Sequence, residues 1–283
     1  MKITKPLAPE YALPLADSRA EEASVSGPDK GDGVLHGVVA VVGCDGTGKT
    51  RLAHDLLHIL QQRRPTERKY MGLISGESGD KIKQLPMVGV MLERYLAAKV
   101  RRAQDMEKKL PGAFTGLVMY LFSLWRVLHM HLLKRRAQKG VLMIAERYPQ
   151  AEIPGFHYDG PGLDADRSKG WLVQKLARHE QKIYQKMAIN KPMLMIRLLI
   201  DEETAYARKS DHPLAELRDK ILKMPTITYN GTHIVEIDSR LPYETVLQQA
   251  LDVIEEALNP KRSGASSSRK QLRGQHPQLS IVS

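Results

Sequence analysis

The run Gly43-Cys44-Asp45-Gly46-Thr47-Gly48-Lys49-Thr50 constrains the fold more than any other stretch of this chain. It fits the spacing G-x-x-x-x-G-K-[ST] without a gap. Ahead of it stand Val38-Val39-Ala40-Val41-Val42, apolar and mostly β-branched, as in a buried parallel strand. Behind it, Arg51 to Leu60 places apolar residues at helical spacing. Strand, glycine loop and helix come in the order that phosphate binding needs. Glycines let the backbone turn its N–H groups inward around phosphate oxygens, and the new helix presents its positive end to them. In such a loop Lys49 reaches the β- and γ-phosphates of ATP as a point charge, and Thr50 offers its hydroxyl to Mg²⁺.

The rest of the chain repeats the alternation. Strands are expected at Lys69 to Ile74, Val141 to Ala145, Met193 to Ile200 and Gly231 to Asp238. Helices are expected over 80–84, 88–110, Leu117 to Gln138, Trp171 to Met187, Thr204 to Arg208, Leu214 to Met224 and Tyr243 to Leu258. In the longest of these, Leu117, Tyr120, Leu121, Leu124, Leu128 and Leu132 recur at threes and fours. Five strands alternating with helices predict an α/β fold of the three-layer P-loop NTPase kind. Its sheet is five-stranded and parallel, with helices on both faces. Composition bounds the domain. Residues 1–37 and the basic stretch 259–283 read as tails, rich in Pro, Gly and Ser, so the folded unit is 38–258.

A formal net charge of +11 admits nucleic acid, anionic lipid or phosphorylated small molecules as partners. Aromatic residues make up only 5%, and no stripe interleaves them with basic ones as single-strand binders do. The reading taken is a small-molecule phosphate acceptor beside a solvated basic surface, with nucleic acid or membrane binding as a minor alternative. The one cysteine, Cys44, rules out an internal disulfide and suits a reducing cytoplasm. The N-terminus has no apolar core of the signal-peptide type. The apolar stretch Gly116 to Trp125 is too short to span a bilayer and runs into Arg126, His129 and His131. Those two histidines lack the i, i+4 spacing of paired metal ligands and read as surface or interface residues, and Trp125 reads as packing.

Taken together, several segments in order resemble the thymidylate kinase family of P-loop nucleoside monophosphate kinases, over roughly Val38 to Leu258. They are the loop Gly43–Thr50; Phe122-Ser123-Leu124-Trp125-Arg126 followed by Lys139-Gly140; Glu146-Arg147-Tyr148, like the family's Asp-Arg-Tyr; and Leu199-Ile200-Asp201 leading to Arg208-Lys209. The resemblance implies a short lid. It also implies that Gly43, Cys44, Asp45, Gly46, Thr47, Gly48, Lys49 and Thr50 hold ATP and Mg²⁺, with Asp45 turned to the acceptor's sugar hydroxyl. Phe122 would stack on the acceptor base, Arg126 would bond its edge and Arg147 would grip its phosphate. Glu146 would act near the metal. The phosphate loop carries no arginine, so Arg208 and Lys209 of the lid would supply positive charge to the transferring group.

The departures fall on the acceptor side. The family's arginine after strand two is missing from Ser75-Gly76-Glu77-Ser78-Gly79, where Lys81 or Lys83 would have to substitute. The sequence after Tyr148 also differs from the family's, and the histidine to watch there is His157. ATP-dependent phosphoryl transfer to a nucleoside monophosphate, dTMP first, is therefore the leading expectation. Two alternatives stand beside it: a P-loop kinase for another small acceptor such as a sugar or glycan precursor, and an ATPase or ATP-binding module with a basic surface. The resemblance and the apolar helix Leu117 to Leu133 also suggest a homodimer.

Overall fold

Alternation along the first strand sets the architecture. The computed structural model describes residues 33–72, 113–157, 160–161, 163–166, 170–210 and 214–259. In β1 (Val34–Gly43), Val38, Ala40 and Val42 face one apolar layer, while Val39 and Val41 face the other. All of these are fully buried, as a strand covered on both faces must be. There follow α1 (Lys49–Leu60), β2 (Thr66–Tyr70), α2 (Ala113–Gln138), β3 (Leu142–Glu146) and a small hairpin of β4 (Phe156–His157) with β5 (Gly160–Pro161). The chain continues through α3 (Trp171–Ala188), β6 (Lys191–Leu199), α4 (Glu202–Arg208), α5 (Leu214–Lys223), β7 (Ile234–Asp238) and α6 (Tyr243–Leu258).

The main sheet runs β2-β3-β1-β6-β7, with every neighbouring pair parallel. Leu52 and Leu56 of α1 and Val246 and Ile254 of α6 pack on one face. Met130 and Leu133 of α2, Ile183 and Met187 of α3 and Leu217 of α5 pack on the other. This is the expected three-layer P-loop NTPase fold. The chain leaves β1 toward β2 and β3 on one side, then crosses to β6 and β7 on the other. Open α/β sheets bind ligands at the carboxyl ends of the strands at such a switch point, and the glycine loop lies there.

Several boundaries differ from expectation. β1 starts at Val34, earlier than Val38, and its first residues pair with Lys191 and Pro192 across an irregularity between Leu35 and Val39. Gly37 sits in that irregularity with a φ of 78°. β2 lies at Thr66–Tyr70 and overlaps the expected strand Lys69 to Ile74 only at Lys69 and Tyr70, while Leu73 and Ile74 lie outside the described residues. Its Thr-Glu-Arg-Lys-Tyr sequence has no apolar run because it is a half-buried strand that, among the described residues, pairs only with β3. β7 begins at Ile234, three residues past the expected start. The expected helices at 80–84 and 88–110 lie outside the described residues, as do Lys81, Lys83 and the tail stretches 1–32 and 260–283.

Helix α2 presents its leucine repeat outward. Leu117, Leu121, Leu124, Leu128 and Leu132 are exposed, and so is Trp125, which the sequence had placed in packing. The buried face is Val118, Met119, Ser123, Arg126, Met130 and Leu133. Ser123 donates to Glu180 and Arg126 to the Tyr184 hydroxyl, so the inner face is tied to α3 by polar bonds. By length and composition the stretch Gly116–Gln138 is sufficient to cross a membrane, beyond what the shorter apolar run suggested. His129 is half-buried, and its Nδ1 bonds the Tyr70 carbonyl at 3.1 Å, bracing the end of β2.

A buried cation fixes the end of α5. Arg197 interrupts the apolar run of β6 and is 3% exposed. Its guanidinium donates to the carbonyls of Met224 (3.2 Å), Pro225 (2.6 Å) and Ile227 (2.7 Å) and pairs with Glu236 at 3.4 Å. Met224–Thr226 is the 3₁₀ turn that continues α5, so these carbonyls lie at a helix end, where intrahelical partners run out. Among the described residues only the Met224 oxygen also accepts from a backbone N–H, that of Ile227 at 3.4 Å. Just beyond, the Glu152 carboxylate accepts from the Thr228 N–H (2.8 Å), the Thr228 hydroxyl (3.0 Å) and the Asn230 N–H (2.9 Å). Tyr229 and Asn230 there hold left-handed backbone, φ 50° and 56°. Arg197→Met keeps the bulk and strands buried carbonyls. It should lower the unfolding free energy by about 3 kcal/mol, read by urea denaturation.

Candidate active site

The phosphate loop is held open by backbone that only glycine adopts readily. Gly46 and Gly48 have φ of 89° and 81°. A Cβ on Gly46 would also come within 3.1 Å of the Ala205 carbonyl oxygen, because α4 packs against the loop. The Thr47 hydroxyl closes the turn by donating to the Cys44 carbonyl at 2.9 Å. Lys49 opens α1 but is only 5% exposed. Its Nζ donates to the same carbonyl at 3.1 Å and stands 3.5 Å from Asp45 Oδ1. Thr50 is exposed on the first turn of α1. Burial pushes the Cys44 thiol up to about 11, with the nearby Lys49 charge pulling the other way, so it stays a protonated thiol.

Asp45 is the meeting point of charges from separate elements. Oδ1 faces Lys49 at 3.5 Å and Arg147 at 3.6 Å, while Oδ2 accepts from Lys220 of α5 at 2.7 Å. Burial would raise this carboxyl, but Lys49, Lys220 and then Arg147 outweigh it and hold the group well below the usual carboxylate range. For Lys49 the balance falls the other way. Burial, then the Arg147 charge, bring it down to about 8, and Asp45 offsets this only in part. Burial would also lower Lys220, but Asp45 and Glu216 outweigh it, and the group is raised.

At the end of β3, Arg147 takes the left-handed conformation, φ 57°, uncommon for a residue with a side chain. Its guanidinium lies 5.6 Å from the centre of the Tyr70 ring. Glu146 is fully buried, with Arg68 Nη1 at 3.3 Å. Neither of its oxygens has a hydrogen-bond partner among the described residues. A buried carboxylate with open lone pairs, beside the strand that bears the loop, fits the outer shell of a hydrated Mg²⁺. Among the described residues no three His, Cys, Asp or Glu side chains cluster. A divalent ion here would therefore take its ligands mainly from phosphate and water, as Mg²⁺ usually does.

The remaining expected residues are spread more widely. Arg208, at the end of α4, reaches the Gly46 carbonyl (3.3 Å) and the Ser239 carbonyl (3.1 Å), so it lies against the loop. Lys209 is exposed next to it. Phe122 is half-buried on α2, and Arg126 is 5% exposed and turned to Tyr184 of α3. The structure brings Asp45, Lys49 and Arg147 together and sets Arg208 at the edge of the loop. Sequence reasoning missed Lys220. Its one sequence signal is Glu216 four residues before it, a spacing shared with ordinary surface pairs.

No protein-family model matches the chain. It is 56% identical over 216 residues to the Escherichia coli K12 protein named uncharacterized ATP-binding protein YghR, across 76% of this chain and 86% of that one. It is 45% identical over 222 residues to uncharacterized ATP-binding protein YghS of the same strain, across 78% and 94%. The chain belongs to the YghR and YghS family. Both members are named for ATP binding, and neither name gives an acceptor.

The Lys49 ammonium supplies a pH test of the site, with Mg²⁺-ATP as the probe. A bound polyphosphate favours the charged form, whereas the empty site holds Lys49 at about 8. Binding above that pH must take up a proton. Affinity should therefore fall as pH rises from about 7.5 to about 9.5, by up to about tenfold per unit. Calorimetry at the higher pH, in buffers of different ionisation enthalpy, should register the proton uptake.

Proposed function

We propose that this protein is a Mg²⁺- and ATP-dependent phosphotransferase acting in the cytoplasm. It would move the γ-phosphoryl group to a small phosphorylated acceptor, in the manner of a nucleoside monophosphate kinase, with dTMP the first acceptor to test. The observation that carries the reading is the convergence of Lys49, Arg147 and Lys220 on Asp45 at the switch point of the sheet. The ATP-binding names of two family members support the donor half.

Phosphoryl transfer asks a protein for position and charge more than for covalent chemistry. The loop N–H groups and Lys49 would hold the donor phosphates. Thr50 and Glu146 would hold Mg²⁺ and its water shell, and the ion would neutralise charge between the β- and γ-phosphates. Arg147 offers a planar fork suited to the acceptor phosphate. An acceptor oxygen forms the new P–O bond as the β–γ bridging bond breaks, and ADP leaves with that electron pair. An ionised phosphate acceptor has no proton to lose, so no general base is required of the chain.

The second reading keeps the donor half and changes the acceptor, for instance to a sugar or glycan precursor. It is favoured by Arg126, which the structure commits to Tyr184, where the first reading needs it at a base edge. A homodimer belongs to the first reading, with the exposed face of α2 as its contact. Leu121→Glu with Leu128→Glu should then halve the mass seen by sedimentation.

ADP release from Mg²⁺-ATP with dTMP, dUMP, UMP, CMP, AMP or GMP, added singly, tests the assignment. Turnover on dTMP that Lys49→Ala abolishes is the expected result. ATP binding without acceptor-stimulated release from any of them overturns the nucleotide reading and moves the test to sugars.

A further inference from the structure

The roles above leave Lys220 without a task of its own. It sits on α5, in the segment that follows β6, with its side chain 9% exposed. Its Nζ is 2.7 Å from Asp45 Oδ2 and 3.0 Å from Glu216 Oε1. Taking the lysine and the Asp45 carboxylate largely out of water is costly, and an apolar contact between α5 and the loop would serve stability as well. The placement makes sense through what else surrounds Asp45. Lys49 and Arg147 lie on its other oxygen, so cations from three separate elements flank a single small anionic group. Asp45 and Glu216 leave this cluster one positive charge in excess. That excess suits an incoming anion carrying more than one negative charge.

The other cations do not join the cluster around Asp45. The loop has Gly46 and Thr47 where an arginine would be needed. Arg208 is bonded to the Gly46 and Ser239 carbonyls, and Lys209 faces solvent. α5 is not free to drift either, since Arg197 binds the carbonyls that follow it. We infer that Lys220 contacts the terminal phosphoryl group of bound ATP, with Asp45 and Glu216 as the residues that position it. The inference rests on the ATP-binding half of the function proposed above.

The test compares the affinities of Mg²⁺ complexes of β,γ-imido-ATP and of ADP for the wild type, Lys220→Met and Lys220→Gln. Lys223→Met on the same helix is the control. Loss of a charge-assisted bond to the γ-phosphate should weaken imido-ATP at least about tenfold and ADP less than about threefold. Lys223→Met should change neither. Lys220→Gln keeps a hydrogen bond to Asp45, so a misfolded Lys220→Met does not decide the result. Equal weakening of both nucleotides, or of neither, overturns the inference. If Lys220 selects imido-ATP over ADP while no acceptor stimulates ADP release, the kinase reading falls and this one stands. If Lys220→Met turns over an acceptor at the wild-type rate, this inference falls and the kinase reading stands.

Discussion

One carboxylate, Asp45, organises the charges of this molecule. Lys49, Arg147 and Lys220 are each largely buried and would repel one another without it. The sheet is what makes the meeting possible. β1 delivers the loop, β3 delivers Arg147 from one side, and the chain beyond β6 delivers Lys220 from the other. Burial, and after it the Arg147 charge, keep the Lys49 ammonium depressed, because Asp45 offsets the two only in part.

The donor half was legible in the sequence because its physics is local. A glycine loop between a β-branched strand and an amphipathic helix has few other uses, and Gly46 and Gly48 adopt the left-handed backbone that the pattern requires. The sheet was legible for the same reason wherever strands are buried on both faces. β2 escaped in part because a strand that is not fully buried need not be apolar, and Thr66–Tyr70 is half-buried throughout. The leucines of α2 announced the helix but not its inner side, because periodicity shows that a helix has two faces without saying which one the fold covers. Here Ser123 and Arg126 take the inside, satisfied by Glu180 and Tyr184.

What the sequence could not disclose are contacts between residues far apart in the chain. Lys220 reads as half of a surface pair with Glu216, and nothing nearby in sequence announces Asp45. Arg197 looks like a flaw in a buried strand until the carbonyls of Met224, Pro225 and Ile227 are seen around it. Both are charges whose burial is tolerable only because distant backbone or side chains complete them. Such residues carry no local pattern.

The short stretch 224–230 is pinned twice, by Arg197 from inside the sheet and by Glu152 from the loop that follows Arg147. It is therefore a common footing for the two jaws around Asp45, one ending in Lys220 and the other beginning at Arg147. Jaws mounted on one post keep their gauge. Arg197 lies in register with Val42, one residue before the glycine loop, so the brace that holds the two cations apart is built into the same strand ends that carry the site.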